Sequence, residues 1–224
     1  ANQARSVYAA DVDGDGIVDV LSASRQDNKI AWYKNDGAGN FGAQQVITTT
    51  ADSTHGVFAI DIDGDADMDV LSASRDDNKI AWYENDGNEN FTEQVITTSA
   101  LGAYDVFAID VDGDTDIDVL SASNNDDTVR WYENDGSENF TEHLITTSMN
   151  GVRSVFAIDM DGDSDIDVMA ASQDDDTVAW FENDGSQNFT PHVLTTGAEG
   201  ATSVYAADLN GDPEPLINVA PQND

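Results

Sequence analysis

The chain has 224 residues, 45 acidic against eight basic side chains, a formal net charge of −37 and no cysteine. That charge argues against nucleic acid and anionic membrane surfaces as partners, and the lack of cysteine excludes disulfides and thiolate metal sites. No apolar run approaches the roughly 18–20 residues that span a bilayer, and no leader-like stretch opens the sequence, although a mature exported chain would have lost one.

In chain order, an apolar segment "SVYAAD" (6–11) reads as a first strand and runs into an acidic loop, "DVDGDGIVD" (11–19). A second strand, "DVLSAS" (19–24), a polar turn, "RQDN" (25–28), and a third strand, "KIAWY" (29–33), follow. The hairpin signal "NDGAGN" (35–40) then leads past Phe41 into a fourth strand containing "QVITT" (45–49). The whole pattern then repeats. Asp11, Asp61, Asp110, Asp159 and Asp208 are spaced by 50, 49, 49 and 49 residues, and Trp32, Trp82, Trp131 and Trp180 keep the same intervals. The extra residue of the first interval lies in "FGAQQVITT" (41–49), against "FTEQVITT" (91–98). The units span about 1–50, 51–99, 100–148 and 149–197, with a partial fifth over 198–224, and are expected to form a single domain.

No segment keeps a helical period. In "KIAWY", Ile30 and Trp32 point one way and Ala31 and Tyr33 the other, so both faces are apolar and both need cover. Radially stacked four-stranded sheets supply it, and about 49 residues is the size of one blade. The expected fold is all-β, a β-propeller of four-stranded antiparallel blades. Closure stays open on the sequence: an abbreviated fifth blade, a four-bladed ring with an extra hairpin, a fragment of a longer array, or a ring completed by further blades or a second chain.

The acidic loops share the frame Asp-x-Asp-Gly-Asp-x-x-x-Asp. Carboxylates at the first, third and fifth positions can turn toward one point, a fourth at the ninth closes the shell, and a carbonyl from the seventh can join. This is hard-oxygen chemistry, suited to Ca²⁺ more than to Mg²⁺, which holds its waters. Without a cation, two like charges at 4 Å repel by about 4 kcal/mol at an effective dielectric near 20. Merely solvated acidic loops would not keep one spacing through four copies. An EF-hand is excluded because strands, not helices, flank the loop and no Glu stands at position twelve. About four Ca²⁺ ions are expected, one per blade. The fifth copy, "DLNGDPEPL" (208–216), carries Asp208, Asn210 and Asp212 but two prolines and Leu216 in place of the last Asp, so that site is expected to be weak or empty.

The stretch "SVYAADVDGDGIVDVLSAS" resembles the FG-GAP (VCBS) repeat, the calcium-binding blade of integrin-α-like propellers, and the resemblance covers essentially the whole chain. It implies metal ligands at Asp11, Asp13, Asp15 and Asp19; at Asp61, Asp63, Asp65 and Asp69; at Asp110, Asp112, Asp114 and Asp118; and at Asp159, Asp161, Asp163 and Asp167. The seventh-position carbonyls would be those of Ile17, Asp67, Asp116 and Asp165. The resemblance also implies an extracellular or cell-surface setting and a role in adhesion, protein binding or glycan binding.

Seventeen of the eighteen aromatic residues recur at fixed positions and read as blade core; Tyr104 is the exception. Six of the eight basic residues fall in loops that precede strand one or join strands two and three. A ligand face is therefore expected around Arg5, His55, Tyr104 and Arg153, rimmed by Arg25 and Arg75, opposite the calcium loops. The plainer alternative pairs these cations with Asp27, Asp76 and Asp77 as ordinary surface ion pairs. "NDG" reads as a hairpin with no chemical role. "NFT" (90–92, 139–141, 188–190) fits a glycosylation sequon that matters only in a eukaryotic secretory host. His55, His143 and His192 form no zinc set. A non-catalytic, calcium-stabilised binding module is the leading function, with a calcium-dependent lectin or an accessory domain of a polysaccharide-active enzyme as alternatives. An enzyme is disfavoured because a catalytic carboxylate pair should break the repeat.

Overall fold

The computed structural model describes residues 1–207 and 216–221. Its strands are β1 (Ala4–Ala10), β2 (Asp19–Ser24), β3 (Lys29–Tyr33) and β4 (Gln45–Thr48); β5 (Thr54–Ile60), β6 (Asp69–Ser74), β7 (Lys79–Asn85) and β8 (Phe91–Thr97); β9 (Ala103–Ile109), β10 (Asp118–Ser123), β11 (Thr128–Asn134) and β12 (Phe140–Thr146). β13 (Val152–Ile158), β14 (Asp167–Ser172), β15 (Thr177–Asn183) and β16 (Phe189–Thr195) make the fourth set, and β17 (Ala201–Ala207) and β18 (Leu216–Pro221) complete the order. Each repeat is one four-stranded antiparallel sheet, hydrogen-bonded in chain order, and β17 pairs with β18 alone. These are the blades of a β-propeller architecture, and the described residues contain no helix.

Two compact units divide the chain, Ala1–Val106 and Phe107–Asp224. The same packing builds each. In the first, Leu21 pairs with Trp32 and Ala23 with Ile30, so these side chains share one face of their sheet. That face meets Val57, Ala59, Val70 and Tyr83 of the next sheet, all at most 5% exposed. In the second unit, Leu120, Ala122, Val129 and Trp131 pack on Val155, Ala157, Val168 and Phe181. Met169, Ala171 and Val178 in turn cover Val204 and Ala206. Within each unit a Trp-bearing face meets the opposite face of the following sheet, which is why both faces of the third strand are apolar. Each such aromatic buries on the order of 150–250 Å². Cover comes from the neighbour rather than the strand: Val7 stands in the register of Val57 but is 70% exposed.

Two details differ from the sequence reading. Every described first strand whose pairing is resolved starts earlier than expected and carries an irregularity, as between Ala4 and Ser6 or Thr54 and Gly56. The first repeat is also interrupted. Its third strand stops at Tyr33, where β7, β11 and β15 continue for two more residues, and its fourth begins only at Gln45. The extra residue breaks the pairing. An isolated bridge, Asn35 to Phe41, with the bonds from Gly42 N–H to the Lys34 carbonyl (2.8 Å) and from Asp36 N–H to the Asn40 carbonyl (3.0 Å), spans the gap in place of a continuous ladder.

Candidate metal centre

Each acidic loop is wound by its own carboxylates. In the second repeat, Asp61 accepts the N–H groups of Gly64 (2.8 Å) and Ala66 (2.9 Å), Asp63 accepts Asp65 N–H (3.1 Å), and Asp65 accepts Asp67 N–H (2.9 Å). The third and fourth repeats copy this network atom for atom. The turn forces the sixth residue to positive φ in all four loops: Gly16 (85°), Ala66 (77°), Thr115 (85°) and Ser164 (81°). Only the first is a glycine, and a non-glycine residue held there stores on the order of 1–3 kcal/mol.

The ninth-position carboxylate is the buried member. Asp19, Asp69, Asp118 and Asp167 are at most 1% exposed. One oxygen of Asp69 accepts Ile62 N–H (3.1 Å) and the other Asn85 N–H (2.8 Å), so it staples the loop to the following hairpin. Asp19, Asp118 and Asp167 do the same. Burial, with help from Asp63 and Asp65, pushes Asp69 up to about 7. Burial likewise raises Asp118 and Asp167 to about 6. A carboxyl this costly to ionise is one that an adjacent cation would hold charged.

These groups converge. Asp61, Asp63 and Asp69 each offer an oxygen within 4.8 Å of the others, as do Asp110, Asp112 and Asp118, and Asp159, Asp161 and Asp167. In the first loop the converging set is Asp11, Asp13 and Asp15 instead. Oxygens around Ca²⁺ at about 2.3–2.6 Å stand at most ~5 Å apart across the ion, so an all-oxygen set of this spacing fits a hard divalent cation. Asp65, Asp114 and Asp163 stand exposed at the rim, each with one oxygen engaged by its own turn. The side chains at the seventh position, Ile17, Asp67, Asp116 and Asp165, lie over the hairpin glycines Gly37, Gly87, Gly136 and Gly185. The fifth loop, with Asp208, Asn210 and Asp212, lies outside the described residues.

Of the expected cations in the first unit, only Arg25, between β2 and β3, and Arg75, between β6 and β7, are loop residues; Arg5 and His55, expected in loops, lie within β1 and β5 because those strands start earlier than expected, and Lys29 and Lys79 open β3 and β7. His55 is 6% exposed, its Nδ1 2.7 Å from the Ser53 carbonyl and its ring 4.5 Å from that of Tyr104. Burial, aided by the charges of Arg5, Arg25 and Arg75, pushes His55 down to about 4. Arg25 Nε donates to Ser53 Oγ (3.3 Å), and Arg75 lies 3.9 Å from Asp76 with its buried Nε unmatched. Lys29 and Lys79 are paired, with Asp27 (3.1 Å) and with Asp77 (3.3 Å) and Glu93 (2.7 Å). Arg153 is half-buried and lies in the other unit. His143 and His192 stack on Trp131 and Trp180 and bond to Glu133 and Glu182.

Sequence reasoning passed over two positions of the repeat. The Asn of "NDG" is more than a turn former: Asn85 Nδ2 donates to the carbonyls of Val12 and Met68 (both 3.2 Å), tying the hairpin to the acidic loop of the preceding repeat. Asn183 does so with Val111 and Ile166. The other is Lys34, whose ammonium contacts both Asp13 and Asp15. Its signal was visible, since Glu84, Glu133 and Glu182 occupy that position in the other repeats.

The architecture and its loops thus define a repeat-built β-propeller whose blades each carry one acidic, cation-shaped loop. The chain belongs to the FG-GAP-like repeat family, which matches at residues 11–72, 61–121, 110–170 and 159–214. No curated protein matches the sequence. Among solved structures, a streptogramin B lyase superposes with a TM-score of 0.61 at 16% identity, over 91% of this chain and 58% of the lyase. A functionally unknown protein from Desulfotomaculum acetoxidans gives 0.67 at 11% identity, over 99% and 64%. The V. cholerae biofilm matrix protein Bap1 gives 0.60 at 18% identity, over 93% and 31%. This chain spans less than two thirds of each of these structures, and at such identities the likeness is one of fold.

Proposed function

We propose that this chain is a calcium-stabilised, non-catalytic recognition module of an extracellular or cell-surface protein. One observation carries the metal: the same acidic loop recurs in four sheets, each time with three carboxylate oxygens within 4.8 Å of one another. Calcium suits the set better than magnesium because the donors are many, anionic and mounted on a turn that tolerates 6–8 ligands. When bound, the ion supplies charge to a loop that otherwise repels itself; Asp69 and its counterparts orient the loop against the hairpin.

Catalysis is disfavoured because the acidic residues of the described loops recur in register, whereas a catalytic carboxylate pair needs one asymmetric site. The streptogramin B lyase shares the fold alone. Recognition of a protein or glycan falls to the opposite edge, where Arg5, Arg25 and Arg75 lie around the tilted His55–Tyr104 ring pair in a chain that is otherwise strongly acidic. A calcium-dependent lectin is a version of the same proposal, and the biofilm matrix protein shows the fold in a matrix setting. Calorimetric titration of the metal-depleted chain is expected to show saturable Ca²⁺ binding, and a glycan array read with and without chelator tests recognition. Absence of any Ca²⁺ heat or affinity at micromolar to millimolar ion would end the metal assignment.

A further inference from the structure

The four acidic loops are alike in sequence but not in surroundings. At the position just after the third strand's aromatic pair, three repeats carry Glu84, Glu133 and Glu182, and these face the outer strand. Glu84 accepts from Gln94 (2.9 Å), Glu133 meets His143 (2.7 Å) and Glu182 meets His192 (2.6 Å). Glu133 adds to the burial that raises Asp112, and Glu182 to the burial that raises Asp161, so both lie within electrostatic reach of their loops. The first repeat has Lys34 there. The strand is interrupted at that point, which removes the outer-strand partner. The lysine turns instead into the loop, against Asp13 and, at 3.0 Å, against Asp15.

The carboxylates have rearranged around this ammonium. In loops two to four the third-position Asp accepts the fifth residue's N–H, whereas in loop one Asp15 N–H turns to Asp11 (3.1 Å) and leaves Asp13 to the lysine. The converging set shifts from first, third and ninth to first, third and fifth. Asp13 is 3% exposed in its side chain, and its second oxygen is buried with no hydrogen-bond partner. One ammonium does not fill this site, because a buried acceptor is left unmatched.

We propose that Lys34 is a tethered cation that occupies the first loop and competes with the divalent ion there, so that loop one binds Ca²⁺ at least tenfold more weakly than loops two to four. This rests on the calcium assignment above. It makes the blades unequal: the first loop holds its shape without metal, and the other three depend on it.

The test is calorimetric titration of the metal-depleted protein with Ca²⁺, comparing wild type with Lys34→Gln and Lys34→Glu; Lys34 is half-exposed, with 43% of its side chain accessible, and lies outside the sheet core, so both variants should fold. Each variant is expected to gain one tight site over wild type, and adding Asp11→Asn to Lys34→Gln should remove that gain. In chelator, Lys34→Gln should melt below wild type, because the loop has lost the ammonium that pairs with Asp13 and Asp15. Equal stoichiometry and affinities in wild type and both variants would overturn the role of Lys34 while leaving calcium binding intact. Absence of Ca²⁺ binding in all three would overturn both, and a gained site that survives Asp11→Asn would place it outside the first loop.

Discussion

At the scale of single residues, His55 shows how the fold sets a titration. Its folded value of about 4 lies below the ordinary value of 6.5, first because of burial and then because of three arginines. Between these values the unfolded chain takes up a proton that the folded chain refuses. The neutral ring therefore contributes nothing to pH dependence above about pH 6.5, and stability falls as pH drops from there toward 4. His55→Asn retains a donor for the Ser53 carbonyl and removes the titration. The stability advantage of wild type over this variant, from urea midpoints, should shrink between pH 7 and pH 5; a difference that stays constant would show that His55 does not titrate as its burial requires. The carboxylates titrate in both proteins and cancel. His55 was legible in the sequence as a variable-loop residue, but its burial was not. The sequence places it at a loop, whereas it lies within β5 with the ring of Tyr104, itself the one aromatic outside the repeat, 4.5 Å away.

At the scale of elements, the strands and acidic loops were legible because each repeat restates them, and errors cluster where one copy departs. Gln44 meets Lys29 and Tyr33 as Glu93 meets Lys79 and Tyr83, so the extra residue is Gly42 or Ala43; it broke a strand pair that three other copies form, and no period announces such a break. The asparagines at positions 85 and 183 escaped because a hairpin former that also bonds across repeats has the same local sequence as one that does not. Gly56 is a departure with a readable consequence. Ser6, Asp105, Ser154 and Ser203 hold its slot in the other repeats, yet β5 lies so close to β9 that a methyl group on Gly56 would stand 3.0 Å from Asp105 Cα and 3.2 Å from Tyr104 O and Val106 N. All three obstacles are backbone, so relief requires moving a strand. Gly56→Ala should cost about 1–3 kcal/mol as overpacking, seen as a lower denaturant midpoint with an unchanged slope. A neutral result would mean the two strands can separate without loss.

At the scale of the whole molecule, a formal charge of −37 on 224 residues makes compaction work against its own field. Bound ions would act on stability in two ways, and salt separates them. Dispersed repulsion is screened by monovalent salt, whose Debye length falls from about 10 Å at 0.1 M to about 3 Å at 1 M. Carboxylates drawn within a few ångströms of a common point lie inside that length and keep repelling. Each filled site at a hundredfold excess over its dissociation constant adds about 2.7 kcal/mol, and 1 kcal/mol moves the midpoint of a chain this size by about 2–4 °C. Chelation should therefore lower the melting temperature by well over 10 °C if three loops are filled, and 1 M NaCl should restore only part of that. Full recovery in salt would mean that the loops matter through net charge alone, and that the converging triads at Asp61, Asp110 and Asp159 hold no ion worth the name. A melting temperature that ignores the chelator at every salt concentration would mean the folded sheets close these loops unaided, against the repulsion that their burial imposes on Asp69, Asp118 and Asp167.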